Sequence, residues 1–314
     1  MYKGRYVARL CFDVPGWAYH QRCKALKKYA PEDFLVTIGP NYGQAFKDVP
    51  HDVALQLVYP CTKDIKNHID KAGYKTKVIA GYNVSANSPR HWFKGIMKHA
   101  DHCVINSQLC WEQLGKLDKT TWISNGVDRD VYQMKKPVRD RKIKVISIGS
   151  KFHAENKGFK DVLPEVQRRL EKEGIETDFK CVNSHGINRL TADQLVEWYN
   201  DAVVYVVASK DEGTPNPALE AASCGCAIVS TRVGNMPELI KDGVNGYLVD
   251  RNAKSIANAV CAVIDQRHDM IRGMQDEISS WCWSVRSRVY FDLFRSLLVS
   301  EGSDIAPVNA LGSS

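Results

Sequence analysis

The stretch AVVYVVASKDEGTPNPALEAASCGCAIVST, residues 202–231, decides the fold because it places a short helix between two apolar strands. The unbroken apolar run at its start is typical of a strand covered on both faces, and CAIVST at 226–231 repeats the pattern. Between the runs, Asn216 is placed to cap a helix, Pro217 suits its first position and Gly225 suits its end. The order predicts a βαβ unit in a parallel α/β sheet.

The same alternation continues through the rest of the chain. Apolar runs such as VARLCF at 7–12 and KVISIG at 144–149 are each followed by a helical pattern. The polar stretch 128–142 interrupts the alternation, contains Pro137 and has few apolar residues. It is therefore the predicted linker between two domains.

Two doubly wound domains are expected from this order. We place the first at 1–133 and the second at 141–280. Doubly wound domains that lie side by side bind ligands in the cleft between them by default, so we expect the two to face each other across one.

The loop after the strand at 202–209 is the predicted ligand site, because open α/β sheets bind ligands beyond the carboxyl ends of their strands. A helix N-terminus there favours a phosphate group. Glu220, in the first turns of that helix, is suited to accept hydrogen bonds from paired ribose hydroxyls, and Glu212 can reach another part of the same ligand. Equally, Glu220 can complement the helix dipole while Glu212 is solvated, and these two residues alone leave both interpretations open.

Composition and length are typical of a globular protein. The 314 residues are 44% hydrophobic and 25% charged. No run approaches the roughly 20 apolar residues of a membrane-spanning helix. The opening residues 1–17 lack the apolar core of a signal peptide, so we expect a cytoplasmic protein.

Ten cysteines are scattered without the spacing of a zinc site. There is no C-x2-C pair, and Cys224-x-Cys226 is too short for a zinc knuckle. We therefore predict no metal bound by cysteine. Five cysteines in apolar runs are expected to be buried thiols in a reducing compartment: Cys11, Cys103, Cys181, Cys226 and Cys261.

Positive charge is concentrated in the first part of the chain. Residues 1–140 hold 22 Lys and Arg against 13 Asp and Glu, a charge of +9, whereas residues 141–314 hold 21 against 23, a charge of −2. An acidic partner such as a phosphate, an anionic membrane surface or DNA would explain this excess, and so would a solvated lysine-rich surface. The sequence leaves both open, including peripheral membrane association.

The donor region resembles glycosyltransferase family 4, the retaining transferases of GT-B architecture. Glu212 and Glu220 match the two glutamates of that family, and residues 212–249 match its donor region over nearly forty consecutive positions. Gly225, Gly234, Gly243 and Gly246 fall in register with the family's glycines.

Three further motifs extend the resemblance. WISNGVD at 122–128 is similar to the turn that ends the family's first domain, and SIGSKFHAENKGF at 147–159 to its diphosphate-binding loop and Lys-Gly pair. SSWCWSVRSRVYFDLF at 279–294 resembles the family's final helix, so a helix at 284–300 is expected to cross back to the first domain.

The resemblance implies roles for individual residues. Glu220 would bind the donor ribose, Glu212 the sugar hydroxyls and Lys157 the diphosphate. Lys151, six residues before Lys157, would take the place of the family's arginine, and the catalytic residues would be Glu212, Lys151 and Lys157. The complete donor-binding set implied is Gly16, Gly149, Lys151, Lys157, Glu212, Gly213, Thr214, Pro215, Asn216 and Glu220.

The acceptor side is less clearly marked. Many family members carry a histidine after the strand at 77–82, whereas this chain has none at 78–85. The candidate acceptor residues are His20, Tyr82, Asn83 and His91.

The function implied is a retaining hexosyl- or pentosyltransferase. It would move a sugar from a UDP- or GDP-sugar to a hydroxyl of a glycan, lipid or small molecule, without cofactor or metal. Asp128-x-Asp130 matches a D-x-D metal signature, but its place in the N-G-V-D turn favours a structural role.

Two alternatives remain. The charge of +9 allows a hydroxylated base in DNA as the acceptor. The lysine in place of arginine and the missing histidine allow a catalytically silent nucleotide-sugar binding protein.

Overall fold

The protein consists of two compact α/β units. The computed structural model describes residues 2–16, 18–40, 51–57, 61–82, 90–183 and 190–299. Unit 1 is Met1–Asn125 with Trp283–Ser314, and unit 2 is Gly126–Cys282. The predicted linker 128–142 therefore lies within unit 2, which begins earlier than the sequence suggested.

A parallel sheet forms the centre of unit 1. Its described strands are β1 Tyr6–Phe12, β2 Phe34–Pro40, β3 Val53–Gln56, β4 Lys77–Tyr82, β5 His102–Ile105 and β6 Thr120–Trp122. They lie in the order β2-β1-β3-β4-β5-β6 and pair in parallel throughout. The chain thus leaves β1 toward one side and continues from β3 toward the other, which makes the gap between β1 and β3 the topological switch point.

Helices cover both faces of this sheet. Those described are α1 Ala18–Lys28, α2 Thr62–Lys71, α3 Arg90–Met97, α4 Gln108–Gln113 and the final helix, α11, Trp283–Val299. On one face, Phe291 and Phe294 of α11 pack against Phe34 of β2. On the other, Ile65 and Ile69 of α2 pack against Cys11. The final helix therefore belongs to the core of unit 1.

Unit 2 is built around a second parallel sheet. Its described strands are β7 Lys144–Ser150, β8 Glu176–Val182, β9 Val204–Val207, β10 Ala227–Thr231 and β11 Gly246–Val249. The order is β11-β10-β9-β7-β8, again all parallel. Here the switch point lies between β7 and β9. Two such sheets confirm the predicted fold class, doubly wound α/β.

Six helices are described in unit 2. They are α5 Val162–Lys172, α6 Ala192–Asn200, α7 Asn216–Ser223, α8 Met236–Leu239, α9 Ala253–Asp265 and α10 Arg267–Ser279. Thr191 caps α6 in a reciprocal capping box with Gln194, as expected for a threonine at this place. Gly225, with a φ of +91°, ends the turn after α7.

Three details differ from the sequence prediction. Helices α2 and α10 were not predicted, and α9 ends at Asp265, just before α10 begins. Two of the five cysteines expected to be buried, Cys181 and Cys261, are partly exposed, while all ten are free thiols. Among the described residues, no helix is long and apolar enough to cross a membrane.

Candidate functional site

The loops after β7 and β9 meet at the switch point of unit 2, and a charged pair joins them. Lys157 Nζ donates to Glu212 Oε1 at 2.6 Å, and Ser209 Oγ donates to the same oxygen at 2.8 Å. The Lys157 and Glu212 side chains are only 19% and 14% exposed. Two residues that the sequence placed in one site, 55 positions apart, are therefore in direct contact.

One side-chain hydrogen bond and one backbone hydrogen bond hold these two loops together. Asn156 Nδ2 donates to the carbonyl oxygen of Asp211 at 2.7 Å, and the Lys210 amide donates back to the Asn156 carbonyl at 2.8 Å. Asn156 directly precedes Lys157 in the sequence, and Asp211 directly precedes Glu212. The positions of Lys157 and Glu212 are thus coupled by the two hydrogen bonds of their neighbours and by their own ion pair.

Gly149, the glycine predicted in the diphosphate loop, makes room for Lys157. A β-carbon at residue 149 would lie 2.7 Å from Lys157 Cδ and 2.5 Å from the Phe159 ring. The lysine stem therefore passes directly over the end of β7. The adjacent Gly158, with a φ of +82°, lies against the Ala208 carbonyl at the end of β9.

The residues Gly213, Thr214, Pro215 and Asn216 connect the pair to helix α7. The sequence predicted Asn216 as the cap and Pro217 as the first helical residue, but this is wrong by one position: α7 begins at Asn216, with Pro215 in the cap position. Pro215 makes no side-chain capping bond, because a proline side chain has no polar atom. The start of α7 is still beside the charged pair, since one cavity is lined by Lys157, Ser209, Pro215 and Pro217.

Glu220 is held by a buried tyrosine of the neighbouring helix. Tyr199 Oη in α6 donates to Glu220 Oε2 at 2.9 Å, and the Tyr199 side chain is fully buried. Burial, and then the Glu220 carboxylate, raise the pKa of Tyr199 well above its ordinary value. The tyrosine therefore stays protonated and fixes one carboxylate oxygen.

Tyr205 of β9 lies within electrostatic reach of both glutamates. Burial is the main cause that raises its pKa, and Glu220 and Glu212 act in the same direction. Its hydroxyl donates to the Ile148 carbonyl at 3.3 Å. The two carboxylates that resemble the family's pair thus belong to one neighbourhood of unit 2.

Gly234 and Asn235 complete the surroundings of the Glu212 loop. A β-carbon at Gly234 would overlap the carbonyl oxygen of Gly213 and approach that of Glu212. The next residue, Asn235, is completely buried, and neither atom of its side-chain amide has a hydrogen-bond partner. Sequence reasoning missed Asn235, although an amide directly after a glycine of the donor region was the available signal.

Lys151 lies at the start of a short 3-10 turn, Lys151–His153, that follows β7. Its side chain is exposed, and the next residue, Phe152, is 86% exposed. Ser150 caps this turn by accepting from the Phe152 amide at 3.1 Å. The described contacts do not join Lys151 to the Lys157–Glu212 pair, so its phosphate-binding role stays a prediction.

Two predicted residues of unit 1, Gly16 and His20, are in contact. The Gly16 amide donates to His20 Nδ1 at 2.7 Å, and the His20 ring stacks on Phe12 with centroids 4.3 Å apart. Burial and the Lys24 ammonium lower the pKa of His20. The Nδ1 atom is thus an acceptor, which leaves Nε2 as the donor of the neutral ring.

Two of the other acceptor candidates, Tyr82 and His91, lie on β4 and α3 of the same unit. Tyr82, at the end of β4, is completely buried and packs edge-on against Phe93. His91 is exposed on α3 beside Trp92. Asn83 lies outside the described residues. Their role toward an acceptor stays a prediction.

Asp128 and Asp130 form a turn. Asp128 Oδ1 accepts from the Asp130 amide at 3.1 Å, and the Asp128 carbonyl accepts from the Tyr132 amide at 2.9 Å. This geometry supports the structural interpretation of the D-x-D sequence. Over the described ranges, no three His, Cys, Asp or Glu side chains are grouped to hold a metal ion.

Solved structures with this fold are GT-B glycosyltransferases. Anabaena Alr3699/HepE in complex with UDP and glucose aligns with a TM-score of 0.71 at 12% identity, over 93% of this chain and all of that one. Sucrose-phosphate synthase from Thermosynechococcus elongatus aligns with a TM-score of 0.71 at 14% identity, over 95% of this chain and 100% of that one. The chain therefore has the GT-B fold.

A family model matches most of unit 2. The model of the family described as glycosyl transferases group 1 matches residues 125–266. The matched segment carries Lys157, Glu212 and Glu220.

Curated relatives match over part of their length. D-inositol 3-phosphate glycosyltransferase of Acidothermus cellulolyticus is 31% identical over 109 residues, which is 34% of this chain and 24% of that protein. Alpha-maltose-1-phosphate synthase of Mycobacterium tuberculosis is 31% identical over 121 residues, 35% of this chain and 31% of that protein. The chain thus spans about a quarter to a third of the length of these relatives.

Proposed function

We propose that this chain is a retaining glycosyltransferase that moves a hexosyl or pentosyl group from a UDP- or GDP-sugar to an acceptor hydroxyl. The observation that carries the proposal is the contact between Lys157 and Glu212, at the switch point of unit 2 and beside the start of α7. The bond that is broken in a nucleotide-sugar joins a phosphate to a hydroxylated sugar ring. The Lys157 ammonium group is suited to bind the phosphate, and the Glu212 carboxylate beside it is suited to accept hydrogen bonds from the sugar hydroxyls. The family of residues 125–266 supports the same activity.

In this proposal the donor lies along the loops after β7 and β9. Lys157 and the amides near the start of α7 bind the diphosphate, because a helix N-terminus favours an anion. Glu212 accepts hydrogen bonds from the sugar hydroxyls. Glu220, with one oxygen held by Tyr199, accepts from the ribose hydroxyls.

Bond cleavage leaves negative charge on the departing diphosphate, and that is where Lys157 acts. The bond between the anomeric carbon and the phosphate oxygen breaks while the acceptor oxygen bonds to the same face of that carbon. The acceptor proton passes to the departing phosphate oxygen. Lys157 stabilises the charge that develops there, and Lys151 adds a second cation if the loop brings it close. No step requires a metal ion or another cofactor.

The names of the relatives suggest which acceptors to assay first. One relative is named for D-inositol 3-phosphate and another for maltose-1-phosphate, and a structural neighbour was crystallised with UDP. We therefore propose phosphorylated sugars and polyols as the first acceptors to assay, with UDP-sugars as the first donors.

The test is donor turnover by the purified chain. We expect release of nucleoside diphosphate from at least one UDP- or GDP-sugar, unaffected by EDTA, with retained anomeric configuration in the product. Glu220→Ala should weaken donor binding at least tenfold. A chain that neither binds nor hydrolyses any donor, with Glu220→Ala changing nothing, would exclude the proposal, whereas binding without turnover would indicate a silent nucleotide-sugar binding protein.

A further inference from the structure

The switch point of unit 1 is the counterpart of the one that carries the donor pair in unit 2. In unit 2 the gap lies between β7 and β9, whose following loops hold Lys157 and Glu212. In unit 1 it lies between β1 and β3. Ligands of open α/β sheets bind outside the strand ends at this kind of gap.

Gln56 is the last residue of β3 and borders that gap. It is the register partner of Cys11 in β1 and of Ala80 in β4. The Gln56 side chain is 0% exposed, and neither its amide oxygen nor its amide nitrogen has a hydrogen-bond partner. Buried side-chain amides in folded proteins are nearly always paired, so this one needs an explanation.

The neighbours of Gln56 in the sheet do not supply a partner. Ala80 has no polar side chain, and the Cys11 thiol interacts with Arg9. The Arg9 guanidinium lies against Gly39 of β2, where it occupies the space that a β-carbon at residue 39 would fill. The small side chains on either side of Gln56 leave its amide without a protein partner.

Charged groups of both signs lie around this strand end, whereas the Gln56 amide itself is uncharged. Burial, followed by the carboxylates of Asp64 and Asp13, raises the pKa of Cys61, whose thiol lies within electrostatic reach of Cys11. The Arg9 guanidinium, which interacts with the Cys11 thiol, adds a cation near these carboxylates. A side-chain amide both donates and accepts, which matches a hydroxyl group that also does both.

We propose that Gln56 binds a hydroxyl of the acceptor, in a subsite at the carboxyl ends of β1 and β3. The identity of the ligand as the acceptor rests on the proposed glycosyltransferase function. The observation that the Gln56 amide is unpaired at the switch point is independent of that function. Gln56 is then a binding residue whose hydrogen bonds are completed only by the ligand.

The test replaces the amide by an apolar group of similar length, Gln56→Met. Glucose, mannose, N-acetylglucosamine and myo-inositol serve as acceptor probes, with a UDP- or GDP-sugar that the wild-type chain hydrolyses. We expect the KM for the probe to rise tenfold or more, because the hydroxyl loses its partner. The Tm should not fall, because an unpaired buried amide has been removed.

A matched control is Asn245→Leu, which removes a buried amide that is fully paired. Asn245 accepts from the Lys241 amide at 2.8 Å and donates to the Leu239 carbonyl at 3.0 Å. Its replacement should lower the Tm and leave the KM for the probe unchanged. If Gln56→Met folds and leaves the KM for the probe unchanged, the proposal is overturned. If Gln56→Met lowers the Tm as Asn245→Leu does, or does not fold, the amide is structural and the proposal is also overturned.

Failure of the proposed function can be told apart from failure of this subsite. If the wild-type chain releases no nucleoside diphosphate from any donor, only the transferase activity is refuted. Ligand-observed NMR with the same four probes then decides the role of Gln56. Binding by the wild type that is lost in Gln56→Met supports the subsite, whereas equal binding, or none by the wild type, overturns it.

Discussion

Gly234 packs so tightly against Gly213 that a β-carbon at residue 234 would overlap the Gly213 carbonyl oxygen. Gly234 also has a φ of +51°, which an alanine adopts only with strain. Gly234→Ala should therefore displace the loop that carries Glu212 and raise the donor KM at least tenfold. Gly174→Ala is the control, because Gly174 has a φ of +72° and no atom within 4 Å of a β-carbon. If both variants change the Tm and neither changes the KM, the contact does not position the loop.

Removal of the Lys157 charge should abolish most of the transfer activity. We expect Lys157→Gln to lower kcat by about 100-fold or more, since a cation at the departing phosphate acts mainly in the transition state. Lys210→Gln is a matched control: Lys210 also pairs with a carboxylate, that of Glu155 at 3.1 Å, but this pair is exposed. Steady-state kinetics of both variants compare the two lysines, and equal losses would count against a specific role for Lys157.

The Tyr199 hydroxyl should control how the donor ribose is recognised. If Glu220 accepts from the ribose hydroxyls, the wild-type chain will prefer a ribonucleotide sugar to its 2′-deoxy analogue. Tyr199→Phe removes the hydrogen bond that fixes Glu220, so we expect this preference to fall several-fold while both substrates are still turned over. The ratio of the two kcat/KM values is the measurement. An unchanged ratio, with only the Tm lowered, would show that Tyr199 supports the fold alone.

Arg141 should be among the most important residues for the stability of unit 2. Its guanidinium donates to the carbonyl oxygens of Ala202, Gly225 and Cys224 at 3.1, 3.0 and 2.8 Å, which ties the end of α7 to the start of β9. Arg141→Met should lower the free energy of unfolding by roughly 3 kcal/mol or more, because it leaves buried carbonyls unpaired. Arg139→Met, at a side chain that is 81% exposed, should cost less than about 0.5 kcal/mol. Urea unfolding measures both.

Acid should weaken unit 1 through two buried histidines. Burial, followed by Arg9, lowers the pKa of His51 to about 4, and burial, followed by Lys119, lowers that of His102 to about 4. An unfolded histidine titrates near 6.5, so the unfolded chain binds more protons between pH 6.5 and 4. Stability is therefore full above pH 6.5 and falls toward pH 4, by up to roughly 3 kcal/mol per histidine.

Hydrogen exchange at pH 7.5, 6.0 and 5.0 can follow this loss in peptides of each unit. We expect His102→Asn to reduce the pH dependence of unit 1. The control His268→Asn changes an exposed histidine of unit 2, so it should leave that dependence unchanged. Equal sensitivity of the two units to acid would contradict the assignment.

The strands and the donor loops could be predicted from sequence because their signals are local. Apolar runs mark buried parallel strands, and glycines mark places where another chain segment comes close, as Gly149 does beneath Lys157. Helix α2 was not predicted because its two buried isoleucines, Ile65 and Ile69, lie among charged residues. Helix α10 was not predicted because Gly273 interrupts the helical pattern of its sequence. In the structure, that glycine lets the helix approach the Val244 carbonyl.

Partners far apart along the chain could not be predicted. Arg141 lay in the segment read as a linker, and the carbonyls that it binds are 61 to 84 residues away. Tyr199 is 21 residues from Glu220 and belongs to a different helix. Gln56 carried a readable signal, a polar residue inside the apolar run VALQLVY, but whether its amide has a partner depends on the packed sheet.

The ion pair between Lys157 and Glu212 has a consequence for how a donor would be selected. The Glu212 carboxylate serves as the counterion of the Lys157 ammonium group. A diphosphate that takes over Lys157 replaces one anion by another, and the same exchange releases Glu212 toward the sugar. Recognition of the phosphate and recognition of the sugar would then be a single linked event, in which a free sugar without its diphosphate has no means of releasing the carboxylate.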